Sequence, residues 1–253
     1  MSKIFDAIDG ENFKRVKRII TENPNCVHIK KHNGWTPLDV AIERDELETA
    51  KFLFEKGGRP NLDIYCDGKE NPLHVAAEED TYITILEWVF TEKVLPLHVL
   101  NIKGPWKMTP LDDAIADGKL EMAKFLFEKG GRPNLDEVYC DGEWTPVHAA
   151  ARSGRIEILK WVFAEKILPL NVLNIKDYDG CTPLDYAIAS GYRKTITLFR
   201  HLLYVEPVFL AIQRAKRDYH QMSVLRRLPN ELLDMVVDEV AVRYHLEVVW
   251  SSL

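Results

Sequence analysis

AKFLFEKGGRPNLD stands at residues 50–63 and again, identical at every position, at 123–136. WVFTEKVLPLHVLNIK at 88–103 returns as WVFAEKILPLNVLNIK at 161–176, with 13 of 16 residues the same. Both pairs are offset by 73 residues, so the chain carries an internal duplication, 36–108 and 109–181. Inside it runs a shorter period. TPLD begins at Thr36, NPLH at Asn71, TPLD at Thr109, TPVH at Thr145 and TPLD at Thr182, in steps of 35, 38, 36 and 37 residues. A supersecondary unit of that size, repeated, stacks on its neighbours instead of closing on itself.

One unit explains its own conformation. Thr36 before Pro37 suits an N-cap hydroxyl followed by proline at the first helical position. Leu38, Ala41 and Ile42 give a short apolar stripe, with a small residue for close approach. From Leu47 to Phe54 a second, wider apolar face predicts a longer helix. Gly57-Gly58 supplies a left-handed stop, and Pro60 discourages further helix. The stretch to Asp67-Gly68 reads as a hairpin-like connection.

With these residues in view, the chain resembles the ankyrin repeats, whose pattern G-x-T-P-L-H-x-A-A, second helix, G-A-D-x-N is matched by GWTPLDVAI with GGRPN and by GEWTPVHAAARSGRIEILKWVF. The resemblance covers about 1–205. It implies an all-α solenoid of about six helix-turn-helix repeats with hairpin-like loops, opened by a capping unit over about 1–31. Asp39, Asp112 and Asp185 replace the usual His and still offer a polar group to the turn. Two repeats lack the glycine pair and run VLPLHVLNIK or ILPLNVLNIK, so two shapes of connection should alternate.

From about 206 to 253 the pattern stops, and the tail reads as C-terminal helices. EPVFLAIQRAKRDYHQM is amphipathic and suits a cap for the last repeat. In 225–240, LRRLPNELLDMVVDEV, the residues Leu228, Pro229, Glu231, Leu232, Leu233, Val236 and Val240 resemble the opening of an F-box, L-P-x-E-L/I-L-x-x-I-x-x-x-L. Val replaces the usual Ile and Leu, and 13 residues after Val240 are too few for a complete F-box. The placement is similar to the shortened F-box-like ends that follow ankyrin repeats in some viral and intracellular-bacterial proteins. That resemblance implies docking of a Skp-type adaptor of a cullin ubiquitin ligase, with the repeats holding the substrate. A plain capping helix is the alternative.

No sequence of known chemistry appears: no GxSxG, no HExxH, no Gly-rich phosphate loop and no GxGxxG. We therefore expect neither an enzyme nor a cofactor. His74 and His148 occupy corresponding repeat positions and read as structural. Cys66 and Cys140 are copies one repeat pair apart, too distant to share a metal. What remains is surface. In an ankyrin array the loop tips and first helices line a concave face, which the resemblance makes the binding face. The tips carry Trp35, Tyr65, Trp106, Tyr139, Trp144 and Tyr178, large rigid groups suited to contact. The acidic residues Glu43, Glu78, Glu79, Asp113, Asp117, Asp141 and Glu143 lie in or near that face and predict a target with a basic surface.

Charge refines this reading. The 253 residues carry a net −6, but 1–192 hold 24 basic against 32 acidic residues, 193–227 hold 8 against 2, and 228–253 hold 1 against 5. An acidic body argues against nucleic acid as the main partner. The opening MSKIFDAIDGENFKR has no apolar core, and no uncharged run reaches the roughly 18 residues of a membrane helix. We expect an intracellular protein, cytoplasmic or nuclear.

Overall fold

A computed structural model describes residues 3–62, 71–104, 107–134 and 144–205. Among them the regular structure is helical throughout, with no strand. The α-helices form six consecutive pairs. They are α1 (Lys3–Asp9) with α2 (Phe13–Glu22), α3 (Pro37–Glu43) with α4 (Leu47–Glu55), and α5 (Pro72–Ala77) with α6 (Ile83–Thr91). Then follow α7 (Pro110–Asp117) with α8 (Leu120–Glu128), α9 (Pro146–Arg152) with α10 (Ile156–Ala164), and α11 (Pro183–Ala189) with α12 (Arg193–Arg200). First helices pack on first helices, α3 on α5, α5 on α7, α7 on α9 and α9 on α11. The second helices form the other row, where α2 meets α4 and α10 meets α12. The result is the expected ankyrin-type solenoid. No helix among the described residues is long and apolar enough to cross a membrane.

The Thr-Pro starts work as their chemistry demands. Thr36 has extended backbone, its hydroxyl accepts from the Asp39 N–H, and its own N–H donates to Asp39 Oδ2 at 2.9 Å. Thr109 with Asp112, Thr145 with His148 and Thr182 with Asp185 repeat this reciprocal cap. Asn71 replaces the threonine and accepts from the Leu73 and His74 N–H groups. The aspartates have a second task, because Asp39 Oδ2 also accepts from Asn61 N at 3.0 Å and Asp112 Oδ2 from Asn134 N at 2.8 Å. Each ties the return loop to the start of its helix.

Two kinds of connection alternate. Gly57 (φ +90°) and Gly130 (φ +106°) turn the chain left-handed after α4 and α8. A Cβ on Gly58 would stand 2.8 Å from the Leu53 carbonyl oxygen, so the second glycine answers a close approach. After α6 and α10 the left-handed residue is Lys93 or Lys166, followed by single 3-10 turns at Leu97–Asn101 and Leu170–Asn174.

The core is a continuous seam between the two rows. Leu38, Ile42, Leu53, Leu73, Leu86 and Leu111 have no solvent exposure. Each is worth roughly 1.5–3 kcal/mol of burial, most of it available only when a neighbouring pair is present. Trp88 and Trp161 pack at its edge, edge-on to Phe54 and Phe127.

Candidate functional site

Three tips share one backbone hydrogen-bond pattern. Lys31 N donates to Trp35 O, Gly104 N to Met108 O, and Asp177 N to Cys181 O, and inside each a second bond closes a shorter turn, from Gly34 N to Lys31 O, Lys107 N to Gly104 O and Gly180 N to Asp177 O. Trp35 is half-buried against the core. Tyr178 is 78% exposed. Tyr65, Trp106, Tyr139, Asp141 and Glu143 lie outside the described residues, as do Cys66, Cys140 and the whole segment 206–253 with Leu228, Pro229, Glu231, Leu232, Leu233, Val236 and Val240.

Trp144 sits in a network rather than on a bare loop. Its Nε1 donates to Asp177 Oδ2 at 3.0 Å, the Tyr186 hydroxyl donates to the same oxygen at 2.6 Å, and the two rings meet edge-on at 5.2 Å. Asp177 Oδ1 accepts from the Asp179 and Cys181 N–H groups. Burial pushes this carboxyl up, but the donors from Tyr186, Cys181, Trp144 and Asp179 outweigh it and hold its pKa below the ordinary value. The exposed Arg152 places its guanidinium carbon 5.0 Å from the Trp144 ring centroid, over the face of the indole.

His74 and His148 differ although their positions correspond. His148 Nε2 faces the Cys181 carbonyl, an obligate acceptor, so that nitrogen carries the proton and Nδ1 accepts from Thr145. Burial lowers its pKa. His74 Nδ1 instead meets Asp113 Oδ2 at 2.6 Å, across the α5–α7 contact, and its Nε2 is buried without a partner among the described residues.

The acidic residues are not a bare anionic patch. Glu79 pairs with Lys119 at 2.7 Å, Glu43 with Arg44 at 3.0 Å, and Asp113 with His74. Burial raises the pKa of Asp117, with the Asp113 charge adding to it. Among the described residues no group of three or more His, Cys, Asp or Glu is arranged to hold a metal ion. The structure thus brings Trp144 and Tyr178 to one corner through Asp177, and keeps Asp113 on α7 and Glu79 in the turn after α5. Sequence reasoning passed over Arg152, Asp177 and Tyr186 as site residues. A position-by-position comparison of the two duplicated halves flags them.

The profile of the family described as "Ankyrin repeats (3 copies)" matches residues 4–95 and 111–206. The "Probable 26S proteasome regulatory subunit p28" of Saccharomyces cerevisiae is 25% identical over 187 residues, 73% of this chain and 77% of that protein. Human "Transient receptor potential cation channel subfamily A member 1" is 28% identical over 174 residues, 65% of this chain. An ankyrin repeat protein of fowlpox virus is 25% identical over 158 residues, 62% of this chain. The chain spans only 14% of the channel subunit and 34% of the viral protein. A crystal structure of an ankyrin repeat domain from Acinetobacter baumannii superposes with a TM-score of 0.55 at 22% identity, over 79% of this chain and 96% of that one.

Proposed function

The chain belongs to the ankyrin repeat family, a family of protein-interaction modules, and on that footing we propose that it binds a target protein on the face lined by its tips and first helices, with Trp35, Trp144, Tyr178, Glu79 and Asp113 among the contacts. One observation carries the reading: Tyr178 projects 78% exposed beside a Trp144 that is locked by Asp177 and Arg152. A rigid aromatic with a polar edge gains contact area at little cost in side-chain entropy. Tyr65, Trp106 and Tyr139 extend this set by their repeat positions. A basic target surface would meet Glu78, Glu79 and Asp117, and would gain encounter rate more than affinity because Glu79 is already paired. Comparing partner capture by wild type and by Y178A tests the face. Retained capture at equal strength contradicts it.

A finer reading gives the tail a role. In it, 225–240 recruits a Skp-type adaptor, making the protein a substrate adaptor of a cullin ubiquitin ligase. The support is the LPNELL sequence with Val236 and Val240 at the F-box-like spacing. The rival role is a cap on the last repeat of a non-catalytic scaffold or inhibitor. Pull-down with the L228A/P229A/L232A triple variant decides between them. The adaptor reading requires that wild type retains a Skp–cullin complex and the variant, still folded by circular dichroism, loses it. A wild type that retains none contradicts it.

A further inference from the structure

The duplication supplies an internal control for the face. The segments of α4 and α8 from Ala50 and Ala123 are identical for 14 residues, yet the members of the Trp144 corner all differ from their counterparts. Counted from the N-caps Asn71 and Thr145, Arg152 stands where the other half has Glu78. Tyr186 stands where it has Asp113, and Asp177 where it has Gly104. Scattered in sequence, these changes meet in space around one indole ring.

We propose that this corner is a docking site for a partner segment carrying a carboxylate side chain beside an apolar one, the carboxylate on Arg152 and the apolar group on the Tyr178 ring. The inference rests on the binding face proposed above and specifies its partner. The Arg152 guanidinium is exposed, is oriented by the indole beneath it, and forms no ion pair among the described residues. A planar fork held this way is prepared for bidentate contact with a carboxylate. The carboxylate nearest in the network, Asp177, does not compete for it, because four donors occupy both its oxygens. Asp185 is likewise engaged by Thr182. The equivalent place in the first half has Glu78 and Asp113 instead of Arg152 and Tyr186, and so offers the segment no guanidinium. The array therefore offers the carboxylate one register rather than two.

The test selects a random-peptide display library against the full chain, then measures synthesised winners by fluorescence anisotropy. Winners should carry Asp or Glu next to an aromatic or branched aliphatic residue. R152E should weaken them by about tenfold or more, R152K by less, and E78Q should leave them unchanged. Winners that lack a carboxylate, or that lose affinity on Y178A but not on R152E, overturn the inference and leave the binding face standing. Winners indifferent to both Y178A and R152E, or a selection that yields none, overturn the inference and the binding face together. Arg152 is exposed at the end of α9, so both Arg152 variants should keep the wild-type circular dichroism spectrum.

Discussion

Asp112 takes three donors on one carboxylate oxygen, from the Thr109 and Asn134 N–H groups and the Thr109 hydroxyl, and leaves the other without a partner among the described residues. Burial outweighs those bonds and raises its pKa from 3.8 to about 6. A folded-state pKa above the unfolded one means the folded chain holds the proton more tightly. The stabilisation is complete below about pH 4 and is lost as pH rises through about 6, by up to about 3 kcal/mol. His148, whose pKa burial lowers, acts oppositely and loses stability as pH falls through the ordinary histidine value. The useful quantity is therefore a difference. Between pH 7 and 5, denaturant titrations should show wild type gaining stability relative to D112N. A constant difference contradicts the assignment. At the same scale Trp144 and Tyr178 separate, although they read alike in the sequence as tip aromatics. Trp144 holds a half-buried bond to Asp177, so W144A should lower the thermal midpoint, whereas Y178A should leave it within error. Nothing within a few residues of Trp144 names Asp177 or Tyr186 as its partners, so the sequence alone does not separate it from Tyr178.

At the scale of elements, most of the pattern was legible because its causes are local. A threonine cap, a proline at the first helical position and a glycine pair are short-range chemistry, and each acts where it was expected. Effects that cross repeats were not. Five residues, 78–82, separate α5 from α6, against three, 153–155, between α9 and α10. The longer turn forms a 3-10 turn at Asp80–Tyr82, from which Asp80 Oδ1 accepts the Met122 N–H at 2.9 Å. Asp80 thereby caps α8, whose own N-cap residue, Lys119, offers no side-chain bond. D80A should cost about 1 kcal/mol, a fall of about 2–4 °C in thermal midpoint for a chain of this size. An unchanged midpoint contradicts the cross-repeat cap. Glycine positions give a second test. Gly154 has φ +66° and its Cβ would stand 2.4 Å from the Tyr192 ring, while Gly180 has φ +76° and open space. G154A should therefore destabilise clearly more than G180A, which bears the backbone cost alone, about 1 kcal/mol. Equal midpoints for the two variants contradict that packing.

Across the whole molecule, a stack of near-identical pairs gains identity from the residues in which its halves part. The second helices and their core contacts repeat almost unchanged, as a shared packing problem requires. The first-helix face does not repeat: its earlier part carries Glu78, Glu79 and Asp113, and its later part Arg152, Trp144 and Tyr186. The acidic residues that the sequence places in or near this face include members paired by Lys119, Arg44 and His74. The Lys119–Glu79 and His74–Asp113 contacts join residues about 40 positions apart, a pairing that composition does not register, whereas Arg44 is the sequence neighbour of Glu43. The central claim is that this face, not the row of second helices, holds the target. The most direct measurement is quantitative capture of the co-purifying partner by wild type, by the W106A/W144A/Y178A triple variant, and by an E87A/K160A control on exposed positions of the second helices. The control should retain the partner and the triple variant should lose it while remaining folded. Capture by the triple variant at wild-type level would contradict it.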